Sequence, residues 1–181
     1  MGIDFTHAML PLAQRKLHSH PGLNHVTFTQ GDALHLPLPD SSADIVSIAF
    51  GIRNVADWGA AIDEFARVLK PGGRLVILEF SLPANPVLCG LYNFYFRKIM
   101  PRTATMISGD RTGAYKYLPE SVNTFISRAA MAQRMQAAGL EAIQVRPLTF
   151  GICVCYVGQK PQARNAGLRP AVGSTQTPPS P

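Results

Sequence analysis

Four groups of residues able to do chemistry stand at the ends of apolar runs: Asp4, Gly31-Asp32-Ala33, Phe50-Gly51-Ile52-Arg53-Asn54 and Glu79-Phe80-Ser81. A carboxylate at a strand end, such as Asp4, can accept hydrogen bonds from both hydroxyls of a ribose, as the acidic residue of dinucleotide folds does. Its plain structural alternative is a charge favoured by the dipole of the helix that follows. Asp32, in a Gly-Asp-Ala turn, can accept from a ligand or cap its own backbone. Arg53 offers a guanidinium and Asn54 an amide beside it. Their alternatives are a surface salt bridge for Arg53 and, for Asn54, an N-cap for a helix near Asp57. His7, His18, His20, His25 and His35 read as surface residues. Cys153 and Cys155 lie two apart, on one face of a strand. With Cys89 they make no zinc spacing, and they read as reduced core cysteines; no metal site is expected.

The elements that must position these groups follow from pattern and punctuation. Met1 to Asp4 reads as a strand end, and His7 to Leu17 as an amphipathic helix capped by Thr6, with Pro11 making its start irregular. Val26 to Gln30 is a short strand, and Leu34 to Ser42 a proline-rich loop. Ala43 to Phe50 is a near-continuous apolar run, the pattern of a strand buried on both faces. Asp57 to Leu69 is helical, with Trp58, Ile62, Phe65, Ala66 and Leu69 in one stripe. Lys70-Pro71-Gly72-Gly73 turns it into a second buried strand, Arg74 to Phe80. Residues 81–120 form a long aromatic and basic insertion. A helix over Ser127 to Ala138 closes at Gly139, and Glu141–Thr149 pairs with Ile152–Gln159 around Phe150-Gly151. This is an α/β doubly wound sheet ending in an antiparallel hairpin, with ligands beyond the carboxyl ends of its strands. From Pro161 the composition shifts to Pro, Gly, Ser, Thr and Gln, so residues 161–181 read as a disordered tail after a domain of 1–160.

Bulk properties narrow the partners. The 181 residues are 46% hydrophobic and 15% charged, enough for one domain with a core. The formal charge of +6 is scattered rather than blocked, which argues against nucleic acid and for a mild attraction to anionic membrane. The run Val87 to Phe96 is too short to span a bilayer and is broken by Gly90 and Asn93. The first residues show no cationic region before an apolar one. A cytoplasmic protein, peripheral at the inner membrane surface, is the expectation.

DFTHAML, GDALHLPLPDSSADIVSIAFGIRNV, FARVLKPGGRLVILEFS, AYKYLPESV and LTFGICVCYVGQK carry a resemblance. Together they resemble the ubiquinone/menaquinone-biosynthesis C-methyltransferases, class I enzymes that use S-adenosylmethionine. The resemblance covers about Met1 to Lys160. RVLKPGGRL is common to many methyltransferases of this fold; FGIRN with EFS and LTFGI is more specific. It implies a Rossmann-like sheet acting on a membrane-dissolved prenylated quinol. It implies that Asp4 holds the cofactor ribose, that Asp32 accepts from the adenine amino group and that the Ala33 N–H donates to a ring nitrogen. Arg53 would stabilise a phenolate and Asn54 orient a water that carries the ring proton away. The insertion would be an apolar lid, with Tyr115 and Tyr117 against the ring. In the family a first strand and a glycine-rich turn precede the acidic strand end. This sequence shows neither, so the chain is expected to be N-terminally truncated. A non-catalytic fragment that binds partners or quinone, and a methyltransferase of this fold with another small acceptor, are the rival readings.

Overall fold

The computed structural model describes residues 1–23, 25–99 and 121–162. The first strand, β1 (Gly2–Asp4), pairs in parallel with β2 (Phe28–Gln30), Asp4 opposite Gln30. Gly2 is required there, because a Cβ would stand 2.6 Å from the Phe28 ring. Helix α1 (Met9–His18) crosses between them. It starts later than its sequence pattern suggests, and Thr6 does not cap it. Ala8 holds the cap position without a side-chain bond, while the Thr6 N–H donates to Asp4 Oδ1 at 2.7 Å. Pro11 accounts for the shift. It has no N–H to give, so the helix starts where Pro11 falls in the first turn, whose N–H groups are unpaired anyway.

A second sheet has the strand order β3-β4-β6-β5. β3 (Ala43–Ala49) and β4 (Leu69–Phe80) are parallel and joined by α2 (Trp58–Val68). β6 (Cys153–Gln159) lies antiparallel between β4 and β5 (Glu141–Leu148), as the expected terminal hairpin requires. Asp57, not Asn54, caps α2 by accepting from the Ala60 N–H at 2.9 Å. The expected stripe does the packing: Ile62, Phe65 and Ala66 join Leu75, Ile77, Val154 and Tyr156 in one core. Helix α4 (Arg128–Ala137), capped by Ser127 and followed by Gly139 at φ +81°, covers it with Met131 and Met135. Between these, α3 (Pro86–Phe94) begins with Asn85 accepting from the Val87 and Leu88 N–H groups, and a π turn over Tyr95–Ile99 follows it. The remainder of the insertion and residues 163–181 of the tail lie outside the described residues.

Two expectations are corrected. Ala43 to Phe50 has the pattern of a strand buried on both faces, yet Ile45 is 65% exposed. β3 is an edge strand: it pairs with β4, and among the described residues nothing pairs with its other side. The β1–β2 pair forms a separate two-stranded sheet. Gly72-Gly73 is not a helix-to-strand turn either. β4 begins at Leu69, directly after α2. The Gly72 N–H donates to the Lys160 carbonyl, and the Lys160 N–H to the Gly73 carbonyl, both at 2.9 Å. Gly72 has φ +81°, which lets the backbone bend within that pairing.

The Leu34 to Ser42 loop is pinned to α2 from below. Glu64 accepts from the Leu36 N–H at 2.7 Å, and Arg67 donates to Glu64, to Asp40 and to the Leu38 carbonyl. Lys160 closes the other end of α2. Its Nζ donates to the carbonyls of Ala66 and Leu69 at 2.8 and 2.7 Å, groups a helix C-terminus leaves without partners.

Candidate active site

At the end of β3 the chain reverses through Phe50, held at φ +55° with its N–H on the Leu78 carbonyl. It then closes one 3₁₀ turn over Ile52–Asn54. Ile52 is fully buried and anchors this turn. Arg53 is thereby carried inward to the end of β4. Its Nη1 donates to Glu79 Oε1 at 2.6 Å and to the Phe50 carbonyl at 2.8 Å, and its Nε reaches Ser121 Oγ at 3.4 Å. The guanidinium lies 5.4 Å from the centre of the Phe80 ring, a cation–π contact, and Phe50 packs on Phe80 at 4.4 Å. No described residue accepts from Arg53 Nη2.

Glu79 has a part the sequence reading did not assign. Leu75, Ile77 and Glu79 alternate onto the same inward face of β4, and the Glu79 residue is only 1% exposed. An unpaired carboxylate there would be strongly unfavourable. It accepts from Arg53 Nη1, from the Arg53 N–H at 3.3 Å and from the Phe80 N–H at 2.8 Å. The signal in the sequence was an acidic residue at the inward phase of an otherwise apolar strand. Arg53 is therefore not in a surface salt bridge; its side chain is 9% exposed and paired inside. Asn54 ends the turn, exposed beside Arg53.

Arg128 ties two distant motifs together at this end of the sheet. Its Nε donates to Ser81 Oγ at 3.0 Å and its Nη2 to the carbonyls of Leu82 and Gly151 at 2.7 and 2.9 Å. Glu79-Phe80-Ser81 is thus locked to the Phe150-Gly151 turn. Tyr92 of α3 stacks on Phe96 at 4.2 Å. Tyr92 is 5% exposed, and its hydroxyl has no hydrogen-bond partner among the described residues. Such an unmade bond costs about 1–3 kcal/mol. Burial pushes its ionisation upward, the Cys153 and Cys89 thiols add to this, and the Arg53 charge opposes it. Burial and then Glu79 likewise push the Cys153 thiol up, so both groups keep their protons near neutral pH.

Asp4 and Asp32 meet at the other sheet. The Gly31 N–H donates to the Asp4 carbonyl at 3.1 Å, which places the two strand ends side by side. Each aspartate commits one oxygen locally: Asp4 to the Thr6 N–H, Asp32 to the Leu34 N–H at 2.9 Å. In each, the second oxygen accepts from no described residue. Both are half-buried, as is Ala33, which packs on the core. These groups fit the adenosine end of S-adenosylmethionine. For its methionine end the described residues supply no glycine-rich turn. A cleft of about 460 Å³ opens beside Asp4, lined by Ile3, Met9, Leu12, Lys16 and Phe28. Its wall is mostly apolar side chain, and neither Asp32 nor Arg53 lines it. Charge and aromatic rings converge at the Arg53–Glu79 cluster, with Phe50 and Phe80 beside it. Tyr115 and Tyr117 lie outside the described residues. The five histidines are exposed or half-exposed, and no group of His, Cys, Asp or Glu that could hold a metal occurs among the described residues.

The fold is that of class I S-adenosylmethionine-dependent methyltransferases. It is shared with a SAM-dependent methyltransferase from Thermotoga maritima (TM-score 0.58, 22% identity, 88% of this chain and 72% of that one). A putative methyltransferase from Bacillus halodurans shares it as well (TM-score 0.59, 18% identity, 88% and 82%). Residues 1–160 match the ubiE/COQ5 methyltransferase family, and the chain belongs to that family. It is 45% identical over 161 residues to a demethylmenaquinone methyltransferase of Thermus thermophilus, covering 89% of this chain and 71% of that protein. A demethylmenaquinone methyltransferase of Deinococcus radiodurans is 45% identical over 160 residues, covering 88% and 65%. A ubiquinone/menaquinone biosynthesis C-methyltransferase of Syntrophotalea carbinolica is 44% identical over 158 residues, covering 87% and 65%. The chain thus spans about two thirds of the length of these relatives.

Proposed function

We propose that this chain serves S-adenosylmethionine-dependent C-methylation of a prenylated quinol, a demethylmenaquinol or a polyprenyl-benzoquinol. The observation that carries the reading is the Arg53–Glu79 pair, set beside Phe50 and Phe80 at the strand ends, in a chain of this family. Methylating a ring carbon requires an electron-rich ring. Loss of a quinol hydroxyl proton makes the carbon ortho or para to it nucleophilic, and Arg53 stabilises the resulting oxyanion. Glu79 holds the guanidinium in place and balances its charge, so Arg53 acts as an aimed donor more than as a free cation. Asn54 orients the water that removes the ring proton. The cofactor supplies an electrophilic methyl group; Asp4, Asp32 and the Ala33 N–H hold its adenosine end.

A prenylated quinol resides in the bilayer, and α3 offers a route to it. Val87, Leu91 and Phe94 are 76%, 63% and 58% exposed, and no acidic residue occurs between Ser81 and Ile99. With a sequence pI near 9.6, this supports peripheral contact with an anionic inner membrane surface from the cytoplasmic side. The test is methyl transfer from labelled S-adenosylmethionine to demethylmenaquinol in anionic vesicles, together with isoprenoid quinone profiling of a deletion strain. Demethylated quinone should accumulate in that strain. An unchanged profile would sink the proposal. The separate β1–β2 pair favours one other reading: quinol binding without turnover. Under that reading the purified chain binds quinol and transfers no label.

A further inference from the structure

The Phe150-Gly151 turn carries two costs that nothing inside the fold offsets. Phe150 is 84% exposed, so its ring gains no burial. Its backbone stands at φ +57° and that of Thr149 at φ +48°, a left-handed region that bulky and β-branched residues rarely adopt. Glycine or asparagine would make the same bend with less strain and no exposed ring. Strain of this kind persists where the surroundings fix it, and here they do. The Gly151 carbonyl accepts from Arg128 Nη2 at 2.9 Å, and the Ile152 carbonyl from the Ser81 N–H at 2.8 Å. The same Arg128 nitrogen holds the Leu82 carbonyl at 2.7 Å, and a Cβ on Gly151 would stand 3.4 Å from Pro83 Cα. The turn is therefore clamped to residues 81–83, which lead directly into α3.

Helix α3 brings a second unburied apolar surface to that end of the sheet. Val87, Leu91 and Phe94 follow at i, i+4 and i+7, one face of the helix, and all three are more exposed than buried. Charge accompanies both surfaces. Neither residues 81–99 nor residues 142–159 include an acidic residue, while they include Arg97, Lys98 and Arg146. The Arg146 side chain donates to Gln144 and to no carboxylate. We infer that Phe150 and the Val87-Leu91-Phe94 face of α3 form a two-part anchor that seats the carboxyl end of β4 on an anionic phospholipid surface. The apolar groups enter the headgroup boundary and the cations meet lipid phosphates. Arg128, joining Leu82 to Gly151, ties the two parts together. The charge pattern selects lipid over a second copy of the chain, because two such basic faces would repel each other. The anchor deepens the membrane contact proposed above and rests on that reading for its purpose: the Arg53–Glu79 pair stands at the same end of β4.

The probe is vesicles of equal parts phosphatidylglycerol and phosphatidylcholine without quinol, and the readout is co-sedimentation of the purified chain. The parent should bind them, and should bind phosphatidylcholine vesicles about tenfold more weakly or less still. Phe150→Asn should weaken binding to the anionic vesicles about tenfold, the loss expected for a ring that no longer enters an apolar boundary. Its melting temperature should equal or exceed the parent's, because asparagine takes the left-handed conformation more readily. Leu91→Ser should weaken binding by a similar factor, whereas Leu12→Ser, at an exposed leucine of α1, should leave it unchanged. The inference is overturned if the parent does not sediment with the anionic vesicles, or if Phe150→Asn binds within about twofold of parent. It is overturned equally if Leu12→Ser weakens binding as much as Phe150→Asn does. A lowered melting temperature in Phe150→Asn would overturn it by giving the ring a structural role. Lipid-free self-association that Phe150→Asn abolishes would also do so, since the face would then seat a second copy. Methyl transfer to detergent-dissolved demethylmenaquinol separates this inference from the proposed reaction. Transfer without vesicle binding removes the anchor and keeps the reaction; Phe150-dependent vesicle binding without transfer keeps the anchor and removes the reaction.

Discussion

Replacing Arg53 by Met tests whether the buried pair is a device of the fold as well as of the site. Met keeps much of the apolar stem against Phe80 and removes the charge. Glu79, 1% exposed, then loses the 2.6 Å bond to Nη1 and keeps only the backbone donors of Phe80 and of residue 53. Breaking a buried ion pair from one side costs about 3–5 kcal/mol, because the other charge stays behind uncompensated. Against a total of about 5–15 kcal/mol for an ordinary domain, that is a fifth or more of the stability. Glu79→Leu should cost a similar amount, since it leaves the 9%-exposed Arg53 side chain without an anion. The double variant Arg53→Met/Glu79→Leu removes both charges and fills the site with apolar atoms. It should recover at least about 2 kcal/mol relative to the sum of the singles, a coupling within the range for contacting residues. Urea unfolding with an unchanged m-value is the assay. If each single variant loses less than about 1 kcal/mol, or if the double variant is additive, the pair is solvated and Arg53 is not an aimed, buried donor.

Three other outcomes follow from named contacts. Asp32→Ala should weaken S-adenosylmethionine binding by about 1–3 kcal/mol in calorimetry, and equal affinity would remove Asp32 from the site. Glu64 has its ionisation lowered by the Arg67 hydrogen bond first, with the Leu36 N–H adding to it against the opposing effect of burial. Its contribution is therefore complete above the unfolded carboxylate value of about 4.3 and is lost as pH falls through the lower folded value. Glu64→Gln should flatten that acid limb of a stability-against-pH curve, and a limb unchanged in shape would disprove the assignment. Ile45→Lys, on the unpaired side of β3, should reduce self-association in sedimentation velocity without loss of melting temperature, because charge on an edge strand discourages edge-to-edge pairing; unchanged association would mean the edge is not the sticking surface.

Much of this architecture could be read from local signals. The α2 stripe, Gly139 and the Phe150-Gly151 turn are all short-range features, and the helices α2 and α4 and the final hairpin stand within a residue or two of their patterns. The readings that failed depended on neighbours distant in sequence. ADIVSIAF has the composition of a central strand, and composition reports which surroundings suit a segment, not which are beside it. Thr6 has the right side chain for a cap, but Pro11 moved the helix start away from it. Asp4 and Asp32 stood out in the sequence as strand-end carboxylates, and the structure shows each closing a turn of its own. Glu79 was visible only as a strand-end residue; its bond to Arg53 spans 26 positions, and no spacing rule announces such a pairing. Tyr92 was one aromatic among many in the insertion until its burial set it apart.

The position of β6 has a consequence for biosynthesis. It is the last strand among the described residues, yet it occupies an inner place, between β4 and β5. On the ribosome β4 emerges well before its antiparallel partner and must wait with that edge open, as must the carbonyls at the end of α2 that Lys160 later engages. Long-range pairing of this kind is slow, and exposed strand edges invite association with other chains while it is pending. The nascent protein is thus most vulnerable in the interval between release of Phe80 and release of Lys160. A stalled or prematurely ended chain that stops short of Cys153 should be a strong client for holding chaperones, whereas one ending just after Lys160 should not.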